Sequence, residues 1–142
     1  MLTKTNTTQN DYQTVLSIWE KSAQKTHDFL SKEDFEFYKN IIPQHLDTVE
    51  LNLWRDDEAI VGFSGVSEQE LVMLFLDPDF IGHGYGSKIL TWLIENENIN
   101  QIDVNSENTN AKNFYIKHGF RVSSEDLVDG FGKPYAITHL IK

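Results

Sequence analysis

The chain has 142 residues, a formal net charge of −10, 39% hydrophobic and 12% aromatic residues, and no cysteine. The length fits one domain with a full core, 1–142, and the missing cysteine excludes disulfides, cysteine–zinc sites and thiol nucleophiles. The acidic balance disfavours nucleic-acid binding, which depends on neutralising phosphates, and favours a cationic small molecule or a basic protein.

No apolar run approaches the roughly 20 residues that cross a bilayer, and the N-terminal MLTKTNTTQNDY has no apolar signal core. The expectation is a cytoplasmic protein without a membrane partner. Leu2 to Asn6 is threonine-rich and reads as an edge strand. Thr7, Thr8, Asn10 and Asp11 offer helix caps, and Val15, Trp19 and Ala23 recur at helical spacing up to about Lys25. His27 to Leu30 breaks the pattern. Ser31, with Asp34 three positions on, starts a second helix as a capping box, with Phe35, Tyr38 and Ile42 as its apolar stripe and Pro43 near its end.

Val49, Leu51 and Leu53 alternate with Glu50 and Asn52 and predict a strand. Arg55 to Asp57 turns the chain into a partner strand, Ala59 to Val66. Leu71 to Leu76 is a fully apolar run and reads as the central strand, buried on both faces. Asp77-Pro78 ends it. Ser87 to about Asn96 is helical, Ile99 to Val104 a short strand, and Asn108 to His118 a further helix closed by Gly119. Phe120 to Leu127 and Tyr135 to Ile141 give two more strands around the turn-rich DGFGKP loop. This order predicts a mixed α/β sheet with helices on its faces.

Gly82, Gly84 and Gly86 sit between the central strand and a helix. Backbone amides there, with the helix dipole, can hold an anion. The dinucleotide pattern GxGxxG fails because position 87 is Ser. The phosphate-loop pattern fails because Gly86 is followed by Ser87 and only then by Lys88. A tight strand-to-helix turn without a ligand is the bland alternative.

A third reading follows from two half-motifs taken together. Gly84 and Gly86 match the last two fixed positions of the Gln/Arg-x-x-Gly-x-Gly/Ala turn of the GNAT superfamily of acyl-CoA-dependent N-acetyltransferases. Asn108, Ala111, Tyr115, Gly119 and Phe120 match its downstream pattern Asn-x-x-Ala-x-x-x-Tyr-x-x-x-Gly-Phe. The order of elements also matches, so the chain resembles that superfamily throughout. THDFL at Thr26 to Leu30 and DGFGKPY at Asp129 to Tyr135 resemble small single-domain bacterial members of poorly defined substrate.

The resemblance implies the acyl-CoA N-acyltransferase fold, a single mixed, mostly antiparallel sheet of about seven strands with helices on both faces and splayed central strands. It implies acetyl-CoA as co-substrate, no metal, and a small-molecule or peptide primary amine as acceptor, attacking directly in a ternary complex. Monomer and homodimer both occur among such proteins. The pantetheine arm falls to Leu74, Phe75 and Leu76, and the pyrophosphate to Ile81, Gly82, His83, Gly84, Tyr85, Gly86 and Ser87. Ile81 and His83 depart from the pattern, since the usual Gln/Arg and Lys/Arg are missing. His83 and Lys88 are the nearby substitute cations, and weaker acyl-CoA binding is expected.

Tyr115 falls on the family's tyrosine and its phenol, of ordinary pKa about 10, suits protonation of a departing thiolate. A core aromatic beside Phe114 is its alternative reading. Asn108 is either a contact to the pantetheine arm or a helix cap. Glu70, beside Glu68, is a candidate base or a solvated turn charge, and His27 with Asp28 a second candidate base or a polar helix end. The acceptor pocket is expected to draw on His27, Asp28, Phe29 and Tyr135, with Phe35, Tyr38, Trp54 and the Phe131 to Tyr135 loop. His118 reads as a helix C-terminal dipole partner, and neither His45 nor His139 has a companion at metal-ligand spacing. A non-catalytic acyl-CoA-binding module on the same fold is the competing functional class.

Overall fold

The computed structural model describes residues 1–26 and 30–142, so the expectations for His27, Asp28 and Phe29 lie outside the described residues. The elements run β1 (Leu2–Asn6), α1 (Tyr12–Thr26), α2 (Lys32–Ile41), β2 (Glu50–Asp56), β3 (Ala59–Ser67), β4 (Glu70–Leu76), α3 (Tyr85–Glu97), β5 (Gln101–Asn105), α4 (Thr109–Lys117), β6 (Arg121–Asp126) and β7 (Ile137–Ile141). The seven strands form one sheet in the order β1-β2-β3-β4-β5-β7-β6. Every pairing is antiparallel except β4 with β5, which the α3 crossover makes parallel. This is the expected mixed, mostly antiparallel architecture.

Two apolar clusters cover the two sheet faces. Val15, Ile18 and Trp19 of α1 pack with Leu51, Leu53 and Phe63 on one face. Ile89, Leu90 and Leu93 of α3 and Tyr115 of α4 pack with Trp54, Val61, Leu71 and Ile102 on the other. Because both faces are covered, Asn52 is buried rather than facing water as the alternation suggested. The same reason places Trp54 in the core, its indole N–H donating to Ser64 Oγ at 2.9 Å, and not in an acceptor pocket.

Ser31 caps α2 as expected, its Oγ accepting from Asp34 N–H at 3.1 Å. The Asp34 carboxylate is drawn away from that box to Tyr135 and Lys133, while Ser31 N–H donates to the Tyr135 hydroxyl at 3.4 Å. Asn108 caps α4 in the same way, taking Ala111 N–H at 3.2 Å.

The central strand departs from its sequence reading. Leu71 is buried, Val72 is 40% exposed, and Met73 to Leu76 are half-buried. Two local features explain this. Gly65 pairs with Met73 and Val66 with Leu71, so Val72 is the extra residue of a β-bulge. The bulge shifts the alternation, so that Leu71, Leu74 and Leu76 face the α3/α4 cluster while Met73 and Phe75 face the α1/α2 cluster. In addition, the β4–β5 ladder consists of Glu70 with Gln101 and Leu71 with Ile102. Beyond it the two strands part, and the edge of β4 from Val72 onward faces open space instead of a neighbour. Apolar residues there line a cleft, which an apolar run cannot reveal by itself.

Candidate active site

Two cavities meet where β4 and β5 separate. The first, of about 630 Å³, runs from the glycine turn along Leu74, Phe75 and Leu76 to α4, and Ile81, Gly86, Asn108, Ala111 and Tyr115 line it. The second, of about 340 Å³, lies toward α2, with Trp19, Tyr38, His45, Val72, Asp103 and Phe131 in its wall. Leu74, Phe75, Asn108, Ala111 and Tyr115 belong to both. The two cavities therefore join at these five residues.

The turn at the mouth of the first cavity divides its labour among the glycines. Gly82 and Gly84 sit at φ of +89° and +82°, where a side chain is strained. Gly86 lies inside α3, and a Cβ there would meet Phe114 Cζ at 3.4 Å and Leu76 Cδ1 at 3.6 Å. Gly86 thus lets the helix start lie close to β4. The first intrahelical bond is Lys88 N–H to Gly84 O at 3.2 Å, so the amides of Tyr85, Gly86 and Ser87 open outward from the helix start. These amides and the helix dipole make the mouth electropositive although Ile81, 45% exposed, contributes no charge.

Of the residues expected along the coenzyme path, Leu74, Phe75, Leu76, Ile81, Gly86, Asn108 and Tyr115 line the first cavity, and Gly82, His83, Gly84, Tyr85 and Ser87 stand outside its wall. Tyr85 donates its hydroxyl to Asp56. Ser87 Oγ lies 2.8 Å from His118 Nε2, and His118 Nδ1 is 2.8 Å from Phe114 O, which that nitrogen must serve as donor. His118 therefore ties the start of α3 to the end of α4, beyond the dipole role read from the sequence.

Tyr115 is buried, and burial pushes its phenol well above the ordinary value. Its hydroxyl is in no hydrogen bond with the described residues, and its side chain borders both cavities. Asn108 spends its Oδ1 on the helix cap, which leaves the amide NH₂ as the group free to donate into the cleft.

Glu70 lines neither cavity. It sits half-buried behind the wall residue Asp103, to which it is hydrogen-bonded. Burial first, then the Asp103 charge and that bond, raise its pKa, and His139 opposes them. His139 lies between Asp103, 2.6 Å from Nδ1, and Asp126, 2.7 Å from Nε2. Their hydrogen bonds raise its pKa. Glu70 thus belongs to a four-residue polar chain, Glu70–Asp103–His139–Asp126, across β4, β5, β7 and β6, in which Asp103 lines the second cavity. Asp103 escaped the sequence reading because only its pairing on β5 reveals it.

Tyr135, expected in the acceptor pocket, is buried beside it and holds α2. Its hydroxyl donates to Asp34, which also binds Lys133 Nζ at 3.1 Å. These two bonds hold the Asp34 carboxyl below its usual range. Tyr38 donates to Asp129, and burial followed by that bond raises its pKa. The Asp129 to Tyr135 loop is thereby fastened to α2, and Phe131 is carried into the second cavity, 6.1 Å from the Tyr38 ring and 5.6 Å from that of His45. Phe35 does not join them; it stacks on Trp19 at 5.4 Å. Among the described residues no group of His, Asp and Glu is arranged to hold a metal ion, and no helix is long and apolar enough to cross a membrane.

Comparison with known proteins bears on the family and the fold. Residues 50–122 match the family model of the acetyltransferase (GNAT) domain. The peptidyl-lysine N-acetyltransferase YjaB of Salmonella typhimurium is 34% identical over 130 residues, covering 89% of this chain and 88% of that protein. Its namesake from Escherichia coli K12 is 34% identical over 129 residues, with 89% and 86% covered. The solution structure of apo YjaB from Escherichia coli superposes with a TM-score of 0.90 at 30% identity, over 99% of this chain and 97% of that one. A PaiA N-acetyltransferase from Thermoplasma acidophilum, solved in complex with coenzyme A, shares the fold with a TM-score of 0.70 at 18% identity, over 100% and 99% of the chains. Both YjaB relatives of this chain carry the name of an enzyme. The chain belongs to the GNAT acetyltransferase family, and it is an N-acetyltransferase that moves an acetyl group to an amine.

Proposed function

We propose that the first cavity holds acetyl-CoA, that the second admits a lysine side chain of a protein or peptide, and that the acetyl group passes between them beside Tyr115. The observation that carries this reading is the parting of β4 from β5 after Leu71, with both cavities meeting at the gap. The free edge of β4 offers backbone donors and acceptors to an extended, amide-bearing arm in the manner of an added strand. The amides of Tyr85, Gly86 and Ser87 suit a diphosphate. Asn108 donates its NH₂ to a carbonyl of the arm.

Acetyl-CoA supplies the activated acyl group, and the chain supplies position and proton traffic. The incoming ammonium must lose a proton before its nitrogen forms the C–N bond, as an alkylammonium titrates near about 10. The Asp103 carboxylate in the cavity wall attracts it, and the pair Asp103–Glu70 takes the proton. Two adjacent carboxylates repel while both are ionised, so the doubly ionised Asp103–Glu70 pair takes up one proton more readily than an isolated carboxylate, and the two groups then share that proton in a hydrogen bond. As the C–S bond breaks, Tyr115 gives its phenolic proton to the sulfur and regains it from solvent. His27, Asp28 and Phe29 remain candidates for the acceptor side.

The lysine acceptor is supported by the names of the YjaB relatives, by aromatic walls at Trp19, Tyr38 and Phe131 that suit an alkylammonium stem, and by the acidic balance of the chain. Incubation with acetyl-CoA and lysine-bearing peptides, with acetyl-lysine read by mass spectrometry, tests it. Acetylation of the lysine ε-amine is expected. Turnover restricted to neutral or acidic small amines would overturn the acceptor assignment.

A further inference from the structure

The glycine turn raises a problem of charge. A diphosphate carries two negative charges, the helix start offers about half a positive one, and Ile81 adds nothing. His83 and Lys88 are the nearest cations in sequence, yet neither lines the first cavity. The Lys88 charge acts instead on Asp56, in a cluster with the Tyr85 hydroxyl and the N-terminal amine.

Lys25 does line that cavity, together with its α1 neighbour Ser22 and with Ile81 and Gly86. Its place follows from a fixed row on α1. Lys21 lies four residues earlier on the same helix face, and its Nζ is 3.2 Å from Asp77 Oδ2. Asp77 is buried at the end of β4, where its Oδ1 takes Asp79 N–H at 3.0 Å and shapes the turn that leads into the glycines. The Lys21–Asp77 pair thus pins α1 against the root of the turn, and one helical turn on, Lys25 reaches the cavity. Lys25 is exposed and forms no ion pair with the described residues. Glu107 is the one other ionised side chain in the described wall of that cavity.

We propose that Lys25 supplies from α1 the cation that the glycine turn lacks, its ammonium holding the diphosphate of coenzyme A, with Glu107 setting an opposing charge. This inference rests on the reading of the first cavity as the acyl-CoA site. It relocates the side-chain share of coenzyme recognition from the loop to a different element, and so explains how a turn with Ile81 retains a place for the coenzyme.

Calorimetric titration of coenzyme A into the wild type, Lys25→Gln, Lys25→Arg and Glu107→Gln, at low and high salt, tests it. Lys25→Gln is expected to weaken binding about tenfold at low salt, with the gap narrowing at high salt as screening removes the charge. Lys25→Arg stays near wild type, and Glu107→Gln binds more tightly than wild type. Equal affinity of Lys25→Gln and wild type overturns the proposal. So does a loss that is independent of salt and not rescued by arginine, which marks packing instead of charge. A wild type that binds no coenzyme A overturns the acyl-CoA reading itself, a result distinct from a failure confined to Lys25.

Discussion

The two cavities that share Tyr115 are built from different materials. The first runs along main chain: it follows the open edge of β4, and the turn at its mouth carries two glycines in the left-handed region and the amides at the start of α3. The second is made of side chains: Trp19, Tyr38, His45 and Phe131 around the carboxylate of Asp103. Main-chain recognition survives substitution, because any residue supplies an amide; Ile81 can replace a polar residue without removing the turn. Side-chain recognition does not, so under the proposed function the second cavity selects residue by residue what is acetylated. On that proposal the first region serves a co-substrate common to a family, and the second a substrate particular to this chain.

That contrast is best broken at the shared residue. Tyr115→Phe removes the phenolic proton and is expected to lower kcat about 100-fold or more while coenzyme affinity and melting temperature hold, since the hydroxyl bonds no described residue. Steady-state kinetics with a binding titration measures both. Gly84→Val acts on the first region alone. A β-branched residue at a φ of +82° costs about 1–2 kcal/mol in denaturant unfolding, and coenzyme affinity falls while the acceptor KM stays.

Asp103→Asn acts on the second region alone: the acceptor KM rises about tenfold, kcat falls as the pair loses one carboxylate of its base, and the coenzyme affinity is unchanged. Tyr38→Phe breaks its bond to Asp129 and loosens the loop that carries Phe131, at about 1 kcal/mol or less of stability, read by chemical denaturation. The smallest effect concerns His139. Its folded pKa is raised above 6.5 by two carboxylates, so the stability it lends is fully present below pH 6.5 and fades as pH rises through the folded value. A pH series of melting temperatures should show that decline in the wild type and not in His139→Gln.

Legibility in the sequence followed the same division. The element order was readable because periodicity, caps and turns are local, and the Asn108 cap and Gly119 stop fall where their residue types require. The turn at the mouth of the first cavity was readable through its glycines, two of which leave a mark in residue type by their positive φ. The parting of β4 from β5 was not, because Leu74 to Leu76 are apolar whether they meet a core or a cleft. The wall of the second cavity was half readable. Tyr38 and Phe131 were named through the family resemblance, but Trp54, named with them, went to the core. Asp103 and Lys25 were missed, since their roles come from a strand pairing and from a helix packed against a distant turn.

The most direct test of the account is the structure of the protein with coenzyme A bound. The pantetheine arm is expected to run along the edge of β4 beside Leu74 to Leu76, with the diphosphate at the start of α3, Lys25 turned toward it, and the sulfur within hydrogen-bonding reach of the Tyr115 hydroxyl. Coenzyme A lodged away from the β4–β5 gap, or a sulfur remote from Tyr115, would contradict it.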